Sequence, residues 1–435
     1  MKIVLIQPDM DRLYEHIPTS SLRKPEYRMP IGLLSIATVL EDEGHEVLII
    51  DNYIDERPVQ LVCDEIESFS PDVLGISVMT TNLTQSLQIC DQISQVCINT
   101  MIIMGGVHAT IKYRQLLTSF SKLNAVIVGE GELSFRDFLN AIQRGRDWTT
   151  VKGIATLKDG DVQFVPRDFL CLDLLPIPRR SLLDVDRYQL TGSTIPQKRV
   201  FTLFSSRGCP YKCAFCCKPN WQQDYRYSST DRVLNEAQLL ISLFDADGLY
   251  FREDNFTASR ARVQQFCKAM KNSEISISWE CESRVDSIDR SLLEQMYDSG
   301  CRGIWFGIES GVQCVLDRMK KGTTVKQAHR VMQWCNELGI ATGAMFMLGF
   351  PGETETDAFN TYAHAVDLAP TAWCGFQAFV GFPGAEIYNE ILNTGQYRRM
   401  INGILEIDTD VFPADRVLEL ELIFNQRINE ELYGQ

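Results

Sequence analysis

Short apolar runs alternate with helical patterns from residue 1 to about 145, the signature of βαβ units around a parallel sheet. The runs predict strands at 2–7, 46–51, 73–78, 101–104 and 125–128, with helices at 31–43, 59–68, 83–96, 113–119 and 133–145. Five such units make residues 1–150 a doubly wound, Rossmann-like α/β domain whose ligands lie beyond the carboxyl ends of the strands. Residues 152–165 read as a β-hairpin turning at Asp159-Gly160, and 166–198 lack any period and are punctuated by Pro166, Pro176, Pro178 and Pro196. The stretch 151–198 is thus expected to be hairpin and linker. Alternation resumes at 199, with strands at 200–205, 248–252, 276–282, 303–308, 341–348 and 375–380 and helices at 229–243, 259–271, 289–299, 325–338 and 355–368. Six βα units over 199–384 are fewer than the eight of a closed barrel. Residues 385–435 are expected to add a helical tail, in which 414–432 is amphipathic and packs on the barrel.

Composition adjusts this picture little. At 435 residues the chain is long enough for two cores, and 45% hydrophobic with 23% charged residues is ordinary for a globular protein. A net charge of −15 argues against nucleic acid as a partner, since phosphates demand a basic face. No apolar run reaches the roughly 18–20 residues of a spanning helix, and the opening Met1-Lys2-Ile3-Val4-Leu5-Ile6 is a strand pattern too short for a signal peptide. Neither a membrane nor secretion is expected. Fourteen scattered cysteines then imply reduced thiols and a cytoplasmic location.

The chemistry concentrates after the first strand of the second half. There Ser205-Ser206-Arg207-Gly208-Cys209-Pro210-Tyr211-Lys212-Cys213-Ala214-Phe215-Cys216-Cys217 carries three cysteines spaced C-x₃-C-x₂-C on a Gly/Pro loop. Thiolates suit iron–sulfur clusters, and three of them would leave one iron of a [4Fe–4S] cube open. A zinc knuckle or a chance grouping are the alternatives. Zinc would want a fourth ligand nearby, but the region has no His, and Cys217 is awkwardly adjacent to Cys216.

Cys209-x₃-Cys213-x-Phe215-Cys216 resembles the signature of radical S-adenosylmethionine (SAM) enzymes, including the aromatic before the last cysteine. The resemblance implies a partial (βα)₆ barrel, and a cluster whose open iron chelates SAM and whose electron cleaves it to methionine and a 5′-deoxyadenosyl radical. It also assigns strand ends to SAM. Glu253, Asp254 and Asn255 would receive the amino group, Arg284 the carboxylate, Glu309 of Gly307-Ile308-Glu309-Ser310-Gly311 the ribose, and the backbone at Gly349 the adenine. An ion pair of Arg284 with Asp286 or Glu309 remains an alternative.

Three strand ends of the first domain bear Thr80-Thr81-Asn82, Gly105-Gly106-Val107-His108-Ala109-Thr110 and Gly129-Glu130-Gly131-Glu132. Ahead of a radical SAM motif they resemble the cobalamin-binding domain of cobalamin-dependent radical SAM enzymes. Thr80, Thr81, Gly105, Gly106, Val107, His108, Gly129, Glu130 and Gly131 would line the cobalamin cleft. The D-x-H-x-x-G pattern that places a His on cobalt in many cobalamin domains is absent, so bound cobalamin would have no protein His ligand.

The expectation is an oxygen-sensitive enzyme that methylates an unactivated carbon of a small-molecule or natural-product substrate. A flavodoxin or ferredoxin would supply electrons, and the site would be enclosed between the two domains. Radical rearrangement, cyclisation or oxidation is the alternative within the family, and a non-catalytic cobalamin or iron–sulfur sensor the alternative outside it. The substrate and the catalytic residues beyond the cluster are not legible in the sequence.

Overall fold

A computed structural model describes residues 1–11, 28–218 and 224–434. The chain divides into two compact units that meet in sequence at Gln189 and Leu190.

In the first unit, β1 (Lys2–Gln7), α1 (Ile31–Asp42), β2 (Glu46–Asp51), α2 (Asn52–Asp55), α3 (Val59–Phe69), β3 (Val73–Ser77), α4 (Leu83–Val96), β4 (Met101–Gly105), α5 (Val107–Ser119), β5 (Ala125–Ile127) and α6 (Gly131–Gln143) alternate as the periodicity requires. The sheet order β2-β1-β3-β4-β5 is parallel throughout. Its switch point lies between β1 and β3. Both faces are covered. Val4 and Ile6 point into one core with Ile89 and Ile93 of α4, while Ile3 and Leu5 point into the other with Leu40 of α1 and Phe138 of α6.

The hairpin forms as β6 (Ile154–Lys158) and β7 (Asp161–Phe164), but it is not a separate linker element. β6 pairs antiparallel with β5, extending the sheet to seven strands. The aperiodic stretch after it also packs on this unit: Arg179 N–H donates to Thr38 Oγ1 (2.9 Å) and Tyr188 Oη to Asp51 Oδ2 (3.0 Å). Alternation patterns end near residue 150 because antiparallel pairing and coil packing carry no helix–strand period.

The second unit contains β8 (Val200–Leu203), β9 (Ser206–Arg207), β10 (Arg226–Tyr227), α7 (Thr230–Phe244), β11 (Gly248–Phe251), α8 (Arg260–Asn272), β12 (Ser278–Ser283), α9 (Arg290–Asp298), β13 (Cys301–Glu309), α10 (Gln313–Arg318), α11 (Val325–Leu338), β14 (Ala341–Leu348), α12 (Glu355–Leu368) and β15 (Trp373–Ala378). β8, β11, β12, β13, β14 and β15 form one parallel sheet in chain order, the six-unit arrangement of a partial barrel. Helix starts are written into the sequence: Ser229, Ser259 and Asp289 cap α7, α8 and α9, and Thr324/Gln327 and Thr354/Asp357 form capping boxes on α11 and α12.

The tail is not purely helical. β16 (Val380–Gly381), β17 (Tyr397–Ile401) and β18 (Ile404–Ile407) make a small antiparallel sheet beside α13 (Tyr388–Thr394), before α14 (Ala414–Tyr433). α14 buries Val417, Leu420, Phe424 and Ile428, the amphipathic face expected of it. Among the described residues no helix is long and apolar enough to cross a membrane.

Candidate functional site

The cysteine loop leaves the buried strand β8 and turns at Gly208, whose φ of +83° favours glycine. It is clamped from two sides. Ala214 N–H donates to Met319 O (2.8 Å), and Ile387 N–H donates to Ala214 O (3.1 Å). Lys218 Nζ ties the loop to itself, donating to Tyr211 O (2.6 Å) and Cys209 O (3.3 Å). The thiol of Cys217 donates to Pro383 O (3.0 Å), so this fourth cysteine faces a turn beyond β15.

Cys209 is buried, and Cys213 and Cys216 are half-buried. Burial pushes the Cys216 thiol up to about 12; Lys218 opposes this, while Asp254, Cys213 and Cys209 add to it. The three sulfurs therefore feel one another's charge. Among the described residues no His, Cys, Asp or Glu side chains converge as a single-ion site. A cube would hold three such thiolates at three of its corners. Cationic groups lie beside them, Lys218 and Arg284 (Nη1 to Cys213 Sγ, 3.3 Å), and would offset the negative charge of a thiolate-ligated cluster. Phe215 is half-buried and lies under Lys321 Nζ, 5.8 Å from the ring centroid.

At the end of β11 the three predicted polar residues part company. Glu253 is buried and fully occupied: it accepts from Ser205 N–H (2.6 Å), from the hydroxyls of Ser205 and Ser206, and from Arg262 Nη1 (3.4 Å). It fastens the root of the cysteine loop. Asp254 is exposed by accessible surface, yet protein crowds it enough to raise its carboxyl above the usual range, with Lys218 and the Gly208 N–H pulling the other way. A reachable carboxylate in a hollow satisfies both observations. Asn255 is fully buried; Thr257 Oγ1 donates to its Oδ1 (3.1 Å), and its Nδ2 has no partner among the described residues.

Arg284, just past β12, is buried and pairs in a fork with Asp286 (Nε–Oδ1 and Nη2–Oδ2, both 2.9 Å). The ion-pair alternative with Asp286 is the one realised. Glu309 instead pairs with Lys321 (2.8 Å), a residue the sequence reading did not single out. Glu309 has a φ of +68° at the end of β13, where the register with β14 shifts. Gly349 also has a positive φ, and a Cβ there would meet Val417 at 2.9 Å. Its N–H and that of Phe350 donate to Glu353 Oε2 (2.5 and 3.2 Å). Burial raises Glu353 to about 8, and its Oε1 has no partner among the described residues.

In the first unit, the predicted strand-end residues gather after β3, β4 and β5. Thr80 and Thr81 are half-buried; Thr80 Oγ1 bonds His108 Nδ1 (3.0 Å), and Thr81 O accepts from Asp11 N–H (2.7 Å). His108 lies in the first turn of α5, which starts at Val107 and not at 113, and desolvation lowers it to about 4, with Lys112 adding. A buried neutral imidazole already bonded to Thr80 matches the absence of a cobalt-ligand motif. Gly106 has φ +93° and presses on the backbone of Val78, which its Cβ would approach to 2.8 Å, whereas a Cβ on Gly105 would meet nothing nearer than 3.7 Å. Gly129, at φ +91°, donates its N–H to Thr110 Oγ1 (2.9 Å); Glu130 caps α6, and Gly131 begins it against Ile36. Gly106 and Gly131 are required by the fold, whereas a Cβ on Gly105 would make only ordinary contact with Ile127.

Residues 26–139 match the B12 binding domain family, and residues 203–365 match the radical SAM superfamily. The chain thus carries a radical SAM domain with a B12-binding domain ahead of it. It is 28% identical over 409 residues to an uncharacterized methyltransferase of Pyrococcus horikoshii, spanning 92% of this chain and 86% of the relative. Similarity to the cytidylyl-2-hydroxyethylphosphonate methyltransferase of Streptomyces wedmorensis is 26% over 494 residues, 98% of this chain and 90% of that one. An anaerobic magnesium-protoporphyrin IX monomethyl ester cyclase of Rubrivivax gelatinosus is 27% identical, over 83% of this chain and 66% of the relative. The fold of this radical SAM protein is shared with two solved structures. One is TsrM, a radical SAM methyltransferase from Kitasatospora setae (TM-score 0.71, 20% identity, 90% of this chain and 75% of that one). The other is the cobalamin-dependent radical enzyme OxsB (TM-score 0.77, 17% identity, 94% and 64%).

Proposed function

We propose that this radical SAM enzyme is a cobalamin-dependent methyltransferase acting on an unactivated carbon of a small molecule. The observation that carries the reading is a clamped three-cysteine loop among cationic side chains, in a chain that also holds a B12-binding domain. When bound, the cluster and SAM supply one-electron cleavage of the sulfonium, and cobalamin supplies the methyl group.

The chain's own residues hold and orient these groups. Cys209, Cys213 and Cys216 hold the cluster, and Glu253 with Arg262 fixes the root of their loop. Asp254, exposed beside the loop, would receive SAM's amino group, and Glu309, steadied by Lys321, would take the ribose hydroxyls. Glu353 shapes the Gly349 turn for the adenine edge. Thr80, Thr81, Gly105 and the backbone of 129–131 would border cobalamin, while the imidazole of His108 is engaged with Thr80. Electrons come from a flavodoxin or ferredoxin.

The related cyclases favour a second reading, ring closure or oxidation without methyl transfer. Anaerobically reconstituted protein with cobalamin, a reductant, methyl-labelled SAM and a small-molecule extract separates the two. Methyl transfer gives both S-adenosylhomocysteine and 5′-deoxyadenosine and a labelled product. 5′-Deoxyadenosine alone overturns methylation in favour of the second reading. Neither product overturns both.

A further inference from the structure

We infer that Arg284 tunes the reduction potential of the cluster through Cys213 and does not hold the carboxylate of SAM, an inference that rests on the cluster assignment above. A guanidinium has five N–H groups. Nε and Nη2 each give one to Asp286 (2.9 Å each), Nη2 gives its second to the carbonyl of Lys321, and Nη1 gives one to Cys213 Sγ at 3.3 Å. One N–H remains, and gripping a carboxylate in a fork takes two. The flat face is also taken: the ring of Tyr211, between Cys209 and Cys213, stacks 3.8 Å from the guanidinium carbon. Arg284 is only 5% exposed, so its charge acts on the sulfur largely through protein, where screening is weak.

That geometry has an electrostatic consequence. Reduction adds a negative charge to a cluster, and a buried cation hydrogen-bonded to one of its thiolates stabilises the added charge. Asp286 plays the opposing part, neutralising some of the cation's field while its hold on Nε and Nη2 orients Nη1 toward the sulfur. Arg284 is therefore a positioning residue acting through Cys213. Sequence position alone, at a strand end, had suggested direct contact with SAM.

The test uses the full chain reconstituted anaerobically, with iron and sulfide content, an EPR-monitored redox titration and SAM binding as readouts. Wild-type protein lacking about four irons refutes the cluster assignment itself, before any variant is measured. In Arg284→Gln the cluster is retained, SAM affinity stays within about twofold, and the potential falls. At a fixed applied potential the reduced-to-oxidised ratio drops at least tenfold, about 59 mV for one electron. An unchanged potential overturns the inference, and an accompanying tenfold loss of SAM affinity returns Arg284 to the carboxylate. If Arg284→Gln does not retain a cluster, Asp286→Asn decides: it leaves the cation less opposed, so the potential rises. No rise overturns the inference.

Discussion

Glu309 occupies a backbone conformation that costs a non-glycine residue of order 1 kcal/mol, and its carboxylate is held by the buried ammonium of Lys321. Such strain persists where surroundings over-determine it, and here both the bulge against β14 and the ion pair do so. Lys321→Met should therefore weaken SAM binding about as much as Glu309→Gln, by roughly 1.5–3 kcal/mol, with cluster absorbance unchanged in both. Calorimetric titration with SAM checks this; unchanged affinity in both variants makes the pair purely structural. Glu353 offers a pH-dependent counterpart. Its folded pKa of about 8 lies above the ordinary 4.5, so between those values the folded state binds more protons than the unfolded one. Its contribution to stability thus falls as pH rises through that window, by up to about 1.4 kcal/mol per pH unit, and is flat above pH 8. Glu353→Gln should remove the slope, so that denaturation at pH 8 finds the variant more stable than wild type and at pH 4.5 finds them closer. Residue roles were only partly legible in the sequence. Glu253, Asp254 and Asn255 look equivalent as a run, and only the fold assigns one to Arg262, one to solvent and one to the interior. Lys321 and Arg262 escaped notice because their partners lie 12 and 9 residues away, on other elements.

The strands and helices of both parallel sheets were legible because a buried strand between amphipathic helices leaves a repeating pattern. β9, β10 and β16–β18 left none: they are short, antiparallel or partly exposed, and long-range pairing selects them. The service performed by α14 was also hidden. β15 is an edge strand, with backbone groups that need partners. Asn425 of α14 supplies them in the manner of a neighbouring strand. Its Oδ1 accepts from Phe376 N–H and its Nδ2 donates to Phe376 O, both at 2.8 Å, while Glu421 accepts from Ala378 N–H (3.2 Å). Phe424 lies between them against Phe376 and Tyr362. Asn425→Ala should remove both hydrogen bonds to the Phe376 backbone and cost roughly 1–3 kcal/mol. Thermal unfolding of the purified variant checks it, and a melting temperature within a degree of wild type would show that water replaces the amide without loss.

The two compact units carry separate cores, and the boundary between them can be tested as chain length. Periodicity ends the first domain near residue 150, yet the structure has β6 completing the β5 edge: Val126 pairs with Ala155, Ile127 with Ile154, and Val128 N–H donates to Gly153 O (2.9 Å). Ile154 and Ala155 are fully buried, so cutting at 150 uncovers both an apolar face and a strand edge. Residues after the hairpin add Arg167 to Asp137 (2.5 Å), Arg179 to Thr38 and Tyr188 to Asp51. A fragment of residues 1–189 should therefore unfold cooperatively and stay monomeric, whereas 1–150 should aggregate or melt without a transition. If the strand-end loops bind cobalamin as proposed, only the longer fragment should retain it. His108→Ala in that fragment should lower the melting temperature, because a buried side chain and its hydrogen bond to Thr80 are lost, without altering the cobalamin visible spectrum. A spectrum that changes in this variant would put His108 on the cobalt despite its burial. A 1–150 fragment as stable as 1–189 would restore the shorter boundary.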